Sequence, residues 1–411
     1  MGVMKFRLRH GVEPLNVEMW RKKARKRLPD LAWAYVDGGA DDLVTVRENM
    51  SGFRQWRLRQ KVLTGITKPN LGTKIAGTEV ALPLGLAPTG STGLSHYSGD
   101  VAVARAAEAV GTRLCLSGAG SYSLEELADG TEQNHWFQLY PFGNRPRVKN
   151  LVERAQAKGF GALFVTVDVP VLGNREGERW NGMIQPWTMT LPRALHMATR
   201  SGWLHDVIRY RRLSAPHFLE PDPGSTEERD LAKTAGLMRA AEEAIQSAES
   251  LSRFMMADLH WDDVKWLRDI WKGPMYVKGV MDADDAAKCV DEIGAQGVVV
   301  SNHGGRQLDR TLSSVSALPA IVDKIGDRAE VYLDGGVRRG TDVITALCLG
   351  AKGVFIGRPY LYGLGAAGQK GVSAILEIFR SEIERALVLM GCPSVQDLNR
   401  SWLVRPDGKP Y

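Results

Sequence analysis

The sequence predicts an α/β fold in which eight parallel strands, each followed by a helix, close into a (β/α)8 or TIM barrel. Two observations predict it: short apolar runs rich in β-branched residues recur along the chain, and stretches with helical spacing, such as GDVAVARAAEAVG (99–111), lie between them. Apolar strands that alternate with helices are typical of a parallel sheet covered on both faces. Eight such units favour a closed barrel over an open sheet. The eight runs are LPLGLAPTG (82–90), RLCLSGAG (113–120), HWFQLY (135–140), ALFVTVDVP (162–170), MYVKG (275–279), GVVVSNHGG (297–305), VYLDGG (331–336) and GVFIGRP (353–359).

Two further segments flank or interrupt the barrel, which is expected over 82–400. A helical and loop preface covers 1–81 and contains AYVDGGADD (34–42). A segment over 177–260 interrupts the alternation after the fourth strand, and a loop this long in a compact domain usually has a function. Its stretch 188–212 mixes Trp, Leu, Met and Ile with Arg and His. That mixture suits a helix on a membrane surface, a lid or a subunit contact, and these alternatives stay open.

Composition narrows the classes of function. The four cysteines of the 411 residues lie far apart without a C-x-x-C pair, so neither a metal site nor a disulfide framework is predicted. The net charge is +6, and the basic cluster RKKARKR (21–27) is interpreted as a solvated helix face, so no nucleic-acid partner is expected. The N-terminus lacks the apolar core of a signal peptide, and no run of about 18 apolar residues could span a bilayer. A cytoplasmic protein is expected.

Polar side chains stand at the carboxyl end of every predicted strand. In barrels of this kind the active site lies at that end. A single polar strand end would mean little, but eight in succession indicate a large ligand held over the whole barrel mouth. These residues are Thr89, Ser117, Gln138 with Tyr140, Thr166 with Asp168, Lys278, Ser301 with His303 and Arg306, Asp334, and Arg358.

The last two units predict a phosphate site. DGGVRRG (334–340) and GRP (357–359) combine glycines, which let backbone N–H groups approach an anion, with Arg338 and Arg358, which can add charge-assisted hydrogen bonds. A dinucleotide motif is not supported, although GLGAAG (363–368) matches G-x-G-x-x-G. Everything downstream of it is interpreted as terminal helix, so no strand completes a βαβ unit.

These motifs resemble a known family in their order along the chain. SNHGGRQLD (301–309), DGGVRRG, FQLY (137–140), TVDVP (166–170), VKG (277–279) and IGRP (356–359) closely resemble the FMN-dependent enzymes that oxidise 2-hydroxy acids. The resemblance runs from about residue 17 to 404. Within the family, the mandelate dehydrogenase branch looks nearest, through GGADD (38–42), APTG (87–90) and WLRDIW (266–271), and flavin lactate dehydrogenases are also similar.

The resemblance implies FMN as cofactor and gives each strand end a role. Lys278 matches the cation beside N1 and the C2 carbonyl of the flavin, where a positive charge stabilises the reduced ring. The loop against the ring matches Pro88, Thr89 and Gly90, and the groups that bond its pyrimidine side match Ser117, Gln138 and Thr166. The ribityl and phosphate contacts match Ser301, Asp334, Gly336, Arg338, Gly357 and Arg358.

The resemblance also implies the catalytic groups. His303 matches the general base, and a neutral imidazole that titrates near working pH suits that role. Asp168 would pair with the imidazolium, Arg306 would bind the substrate carboxylate with help from Tyr35 and Arg175, and Tyr140 would bond the hydroxyl or developing carbonyl. Whether the base removes the hydroxyl proton or the α-carbon proton stays open.

Two departures from the oxidases bear on substrate and electron acceptor. Ala119 stands where glycolate oxidase has a tryptophan, which opens the pocket for a bulky side chain. Gly90 stands where the oxidases usually carry alanine, which favours a dehydrogenase that passes electrons to a quinone, with 177–260 at the inner face of the cytoplasmic membrane. An oxidase that produces hydrogen peroxide is the alternative. The resemblance further implies a homotetramer.

Other classes of phosphate-binding barrel fit less well. Type-2 isopentenyl diphosphate isomerase binds FMN but lacks the pairing of base and carboxylate-binding arginine in SNHGGRQLD. Inosine-monophosphate dehydrogenase needs a cysteine on a barrel loop, whereas Cys115 is expected inside a strand and Cys348 inside a helix. A non-catalytic flavin-binding module would be sensible only if His303 or Arg306 were missing, and both are present.

Overall fold

Eight parallel strands form a closed ring in the structure, a computed structural model that describes residues 13–141, 143–183, 189–220, 242–243, 245–246, 249, 258–405 and 408–409. In order around the ring they are β1-β8-β7-β6-β5-β4-β3-β2, and a parallel bridge between Leu86 and Leu114 joins the last strand to the first. The predicted barrel is confirmed. Its strands are β1 Leu84–Leu86, β2 Cys115–Ser117, β3 Trp136–Leu139, β4 Leu163–Thr166, β5 Met275–Val280, β6 Gly297–Val300, β7 Glu330–Leu333 and β8 Gly353–Ile356.

Helices surround the barrel and supply its preface. Three preface helices, α1 to α3, are Val17–Arg27, Asp30–Asp37 and Val44–Ser51. The side chain of Asn16 caps the first of them by accepting from the backbone N–H of Met19, which satisfies a donor that a helix start leaves free. The remaining helices are Gly99–Ala109, Leu124–Asp129, Arg145–Ala157, Glu176–Trp180, Leu191–Ala198, Ser201–Tyr210, Pro216–Leu219, Trp261–Ile270, Ala283–Asp291, Ser314–Ile325, Gly340–Cys348 and Arg358–Met390.

Aromatic side chains fill the amino end of the barrel, which leaves its carboxyl end as the expected place for a ligand. Trp136, Phe164 and Phe355 pack against one another inside the ring, with ring centroids 5.4–6.0 Å apart. Beneath them a short hairpin, Thr73–Ile75 paired with Thr78–Val80, closes the barrel. Its Ala76 donates a backbone N–H to the Tyr332 hydroxyl at 2.7 Å.

Strand register brings polar residues together at the open end. Because neighbouring parallel strands carry equivalent residues side by side, Ser117 pairs with Gln138 and Thr166 pairs with Lys278. Four neighbouring strands therefore present polar side chains at one rim.

The described part of the segment 177–260 contains two consecutive amphipathic helices where the sequence suggested one. Leu191–Ala198 ends at Thr199, whose hydroxyl donates to the His196 carbonyl at 2.6 Å, and Ser201–Tyr210 starts again after Arg200. Arg200 leaves helical geometry with φ −99° and ψ 54°, so the polar pair between the helices breaks the run. Part of the predicted segment lies outside the described residues. Within the described ones, no helix is long and apolar enough to cross a bilayer.

The GLGAAG stretch lies inside the helix Arg358–Met390, which bends at Ala367 and Gly368. Gly368 has φ +60°, a conformation that glycine adopts without strain. In the described residues only the two-residue strand Leu403–Val404 follows, and it pairs with Arg57–Leu58 outside the barrel. The stretch therefore does not open a βαβ unit.

Candidate active site

A histidine and an aspartate form a partly buried pair at the open end of the barrel. His303 Nδ1 lies 2.9 Å from Asp168 Oδ1, and the His303 backbone N–H donates to Ser301 Oγ at 3.1 Å. His303 adopts φ +56°, which is rare for a residue with a Cβ, and two glycines with positive φ follow it. The backbone after β6 therefore turns sharply and points the imidazole at Asp168, which follows β4.

Electrostatics fix the protonation states of this pair. Burial and the nearby Lys278 ammonium lower the pKa of His303, although Asp168 opposes them. Burial would raise the pKa of Asp168, but His303 and Lys278 hold it below its usual value. A neutral ring next to an ionised carboxylate carries its proton on Nδ1, because the carboxylate only accepts. The Nε2 lone pair is then the one available to take a proton.

Lys278 is a buried, charged lysine. Its Nζ lies 3.4 Å from Asp334 Oδ2 and donates to Ser301 Oγ at 3.0 Å. Burial alone would lower the pKa of Lys278, but the carboxylates of Asp334 and Asp168 outweigh it and raise the pKa above its ordinary value. The centre of the barrel mouth thus holds a fixed positive charge.

Several buried polar atoms beside Lys278 have no hydrogen-bond partner among the described residues. Ser117 Oγ donates to Gln138 Oε1 at 2.9 Å, which leaves the Gln138 amide nitrogen unpaired. Thr166 Oγ1 and Asp334 Oδ1 are unpaired as well. Each buried, unsatisfied polar group costs about 1–3 kcal/mol, so a cluster of them indicates a polar ligand.

Two arginines stand where the phosphate site is predicted. Arg358 donates to the carbonyl oxygens of Gly304 at 2.8 Å and Gly38 at 2.5 Å, and its Nε is buried without a partner among the described residues. Burial lowers the pKa of Arg358 to about 10, which still leaves it charged at neutral pH. Arg338 donates to the Val337 carbonyl at 2.9 Å. Over the described parts of the chain, neither arginine pairs with a carboxylate, so both retain charge for an anionic group.

Glycines shape this end of the site. Gly336 has φ +79°, and a Cβ there would lie 1.9 Å from the Asn49 carbonyl oxygen of α3. Gly357 precedes Arg358 and starts the final helix. The preface helix α3 therefore packs directly against the loop after β7. Asn49 also exchanges two amide hydrogen bonds of 2.8 Å with Asn302, next to His303.

Arg306 lies on the same wall as His303, where three groups hold it. It donates to the Tyr35 carbonyl at 2.6 Å, its guanidinium carbon lies 4.8 Å from the Tyr35 ring centre, and it pairs with Glu178 at 2.6 Å. Arg175 donates to the Arg306 carbonyl at 3.2 Å and to Gln307 Oε1 at 3.0 Å. Sequence reasoning gave no role to Glu178, which lies on the short helix Glu176–Trp180, or to Gln307, which lies in the loop after β6.

Tyr140 and Ala119 border an apolar patch beside this wall. The Tyr140 ring centre is 6.5 Å from that of His303, and burial raises the pKa of Tyr140 to about 12, so its hydroxyl stays protonated. Ala119 packs with three residues that the sequence did not single out as part of a site: Val169, Ala215 and Phe218. The last two come from the described part of 177–260.

The loop after β1 also lies at the mouth of the barrel. Thr89 Oγ1 bonds the Tyr360 hydroxyl, and Pro88 and Gly90 flank it. A Cβ at Gly90 would lie 3.0 Å from the Tyr35 hydroxyl and 3.2 Å from the Ala119 Cβ. Gly90 is thus in close contact with Tyr35 of the preface and with Ala119 of the loop after β2. The structure brings the predicted residues of all eight strand ends, together with Tyr35 of the preface, to one rim.

The sequence and the fold of this chain are both similar to those of known proteins. The sequence profile of the FMN-dependent dehydrogenase family matches residues 24–405. L-lactate oxidase of Nostoc sp. is 39% identical over 394 residues, covering 95% of this chain and 98% of that protein. L-lactate dehydrogenase of Caulobacter vibrioides is 40% identical over 384 residues, covering 93% and 96%. The crystal structure of a monotopic membrane protein, (S)-mandelate dehydrogenase, superposes with a TM-score of 0.85 at 35% identity, covering 96% of this chain and 100% of that one.

The residues at the barrel mouth fit the cofactor of this family. FMN combines a flavin edge rich in hydrogen-bonding groups with a phosphate. The unpaired Gln138 amide and Thr166 hydroxyl suit the first, and the charged Arg338 and Arg358 suit the second. Since both the profile and full-length relatives agree with this geometry, the chain belongs to the FMN-dependent dehydrogenase family.

Proposed function

We propose that this chain oxidises an (S)-2-hydroxy acid with a bulky side chain, such as mandelate, to the 2-oxo acid and passes the electrons to a quinone. Lactate is the smaller candidate substrate. The observation that carries the proposal is the partly buried His303–Asp168 pair, 2.9 Å apart, with the partly buried cation Arg306 on the same loop as the histidine. A base beside a carboxylate-binding cation is what oxidation of a 2-hydroxy carboxylate requires.

His303 and Asp168 act on the proton. Nε2 of the neutral ring accepts the proton that the substrate loses, and the ionised Asp168 stabilises the imidazolium that results. Tyr140, protonated at neutral pH, donates a hydrogen bond to the substrate oxygen on C2. When bound, FMN supplies the acceptor for the two electrons.

Arg306 holds the substrate carboxylate, with Tyr35 and Arg175 beside it. The Tyr35 ring lies against the guanidinium of Arg306, which limits the orientations that this long side chain can take. Arg175 adds a second positive charge from the loop after β4. Two contacts to one carboxylate orient C2 towards His303, and such positioning is a large part of catalysis.

The residues proposed to hold FMN surround Lys278. Its ammonium supplies a positive charge where the reduced flavin carries negative charge. The other residues proposed for the flavin are Pro88, Thr89, Gly90, Ser117, Gln138 and Thr166. Those proposed for the ribityl chain and phosphate are Ser301, Asp334, Gly336, Arg338, Gly357 and Arg358.

The preference for a bulky substrate rests on the apolar patch. Ala119 contributes a methyl group where glycolate oxidase carries an indole, and Val169, Ala215 and Phe218 surround it. Apolar side chains provide about 25 cal/mol per Å² of surface removed from water, so a phenyl group would gain affinity there that a hydrogen cannot.

An anaerobic assay tests the reaction. The FMN-loaded enzyme is mixed without oxygen with the (S) and (R) forms of mandelate, lactate and a long-chain 2-hydroxy acid, and with glycolate. We expect the visible absorbance of the oxidised flavin to bleach fastest with (S)-mandelate or the long-chain (S) acid. Failure of every acid to bleach a flavin-loaded protein would refute the proposal.

An oxygen-using oxidase is the second candidate function, favoured by the 39% identity to L-lactate oxidase. Gly90 argues for the quinone instead, because the oxidases usually carry alanine there. Peroxide formed at the rate of turnover in air would favour the oxidase. Turnover with a soluble quinone analogue and little peroxide would favour the dehydrogenase.

We further propose that the two helices Leu191–Ala198 and Ser201–Tyr210 contact the inner face of the cytoplasmic membrane. Leu191 and Leu195, four residues apart on one helix face, are 73% and 60% exposed, and Met189 is 60% exposed. Co-sedimentation with anionic liposomes tests this, and replacing both leucines with serine should abolish it. Co-sedimentation that survives in the double variant would refute the role of this face.

The resemblance also supports a homotetramer as a proposal. Light scattering after size-exclusion chromatography, carried out in detergent, measures the mass directly. A mass of one chain would refute it.

A further inference from the structure

Arg306 uses only part of its guanidinium in protein contacts. Nη1 donates to the carbonyl oxygens of Tyr35 and Gly38 at 2.6 and 3.4 Å. Nη2 donates to Glu178 Oε1 at 2.6 Å. Among the described residues, no bond uses Nε. A guanidinium has five N–H donors in a fixed plane, so the edge formed by Nε and the second N–H of Nη2 is left for another partner.

That free edge is a two-pronged fork. The Nε–H and one N–H of Nη2 lie along the same edge of the planar guanidinium, and these parallel N–H bonds match the two oxygens of one carboxylate. The direction in which this edge of Arg306 points depends on the groups that bind the rest of its guanidinium. The backbone of α2 binds Nη1, and Glu178 binds Nη2.

Glu178 is well placed to act on this arginine. Its side chain is 3% exposed and that of Arg306 is 14% exposed, so water competes little for the pair. The same carboxylate lies 3.9 Å from Arg175 Nη1. Two arginines and one glutamate leave a single net positive charge, which one substrate carboxylate neutralises.

We propose that Glu178 is a positioning residue that orients the Arg306 fork towards the substrate carboxylate. This inference deepens the proposed function and rests on it. Glu178 touches neither substrate nor cofactor in this role; it acts through Arg306. Without it, the guanidinium can rotate about its long stem and offer the carboxylate one donor instead of two.

Three substitutions separate geometry from charge. Glu178→Ala removes the acceptor, and Glu178→Met removes it while keeping the volume. Glu178→Gln keeps an acceptor oxygen in place. Glu176→Ala is the matched control, because Glu176 lies on the same short helix, is exposed and does not contact Arg306.

The main measurement compares an acid with its neutral ester. We expect Glu178→Ala and Glu178→Met to raise KM for (S)-mandelate at least tenfold, with kcat changed less than threefold. KM for methyl (S)-mandelate, which lacks the carboxylate charge, should change less than threefold. Glu178→Gln should stay within threefold of the parent for both, as should Glu176→Ala.

An equilibrium measurement supports the kinetic one. Phenylacetate, a carboxylate without the reacting hydroxyl, is titrated into each protein while the flavin spectrum is followed. Its Kd should rise at least tenfold in the Ala and Met variants and stay within threefold in Glu178→Gln. Equal losses for acid and ester would show a general disruption and overturn the proposal, as would an unchanged KM and Kd in the Ala and Met variants.

Failure of the proposed function is distinguishable. A parent protein that binds phenylacetate but oxidises no 2-hydroxy acid contradicts the proposed reaction alone. The phenylacetate series would then still decide the role of Glu178.

Discussion

The replacement Asp168→Asn tests the acid–base pair most directly. The introduced amide keeps the size of the side chain, and its oxygen can still accept a hydrogen bond from the His303 ring at the observed 2.9 Å. The replacement removes the negative charge that stabilises the ring once it has taken a proton. It therefore alters charge and leaves packing in place.

The size of the effect follows from the charged hydrogen bond. A hydrogen bond to a charged group contributes about 1.5–3 kcal/mol. Since about 1.4 kcal/mol corresponds to a factor of ten, flavin reduction should slow by about 10- to 150-fold. The carboxylate also raises the pKa of His303, so its loss should move the acid limb of the pH–rate profile to still lower pH.

Anaerobic stopped-flow mixing with (S)-mandelate gives the rate constant of flavin bleaching on both sides of neutral pH. FMN content and melting temperature serve as controls, because a variant that loses the cofactor would lose activity for another reason. A variant that retains FMN and bleaches at the parent rate, with the same acid limb, would refute the role of Asp168.

Three further predictions concern the neighbouring groups. Because burial lowers the pKa of His303, which must be neutral to accept a proton, the acid limb of kcat/KM should lie below the ordinary histidine value of about 6.5; a limb above that value in a pH profile would contradict this. Replacing Lys278 by Met leaves Asp334 buried without its cation, which should lower the free energy of unfolding by about 3–5 kcal/mol and weaken FMN retention. Melting curves and dialysis measure both, and Lys278→Arg should retain more stability and more FMN; equal behaviour of both variants and the parent would be the contrary result. Replacing Ala119 by Trp fills the space beside Val169 and Phe218, so it should lower kcat/KM for (S)-mandelate about 100-fold and spare glycolate; a proportional loss for both acids would disprove a steric role.

The barrel could be predicted because its strands leave a local pattern. Runs such as GVVV are apolar throughout and rich in β-branched residues, as strands buried on both faces are, and they end abruptly in polar residues. The predicted ends were less accurate. The run predicted over 82–90 is a strand only over Leu84–Leu86, since Pro88 has no N–H for the ladder and the chain turns across the barrel mouth there.

Other site residues left no local signal. Glu178 lies on a five-residue helix with charged neighbours, which in a sequence is indistinguishable from a solvated surface. Its burial depends on Arg306, 128 residues away. Phe218 and Ala215 belong to the segment 177–260, for which the sequence left a membrane contact, a lid and a subunit contact open, and they pack beside Ala119. Contacts of this kind form only when the barrel closes, so a short stretch of sequence gives no sign of them.

The two carboxylates at the barrel mouth contact different side chains: Asp334 lies beside Lys278, and Asp168 lies beside His303. The Lys278 ammonium lowers the pKa of His303, because a nearby positive charge disfavours the imidazolium. Asp334, 3.4 Å from the lysine, keeps it charged, while Asp168, 2.9 Å from the histidine, keeps the ring oriented without making it cationic at neutral pH. Environments that push the pKa values of neighbouring groups apart are how one site assigns distinct roles to them. Removing Asp334 should therefore affect both groups, since Asp168 would then be the remaining carboxylate that offsets the charge of Lys278 while it also orients His303.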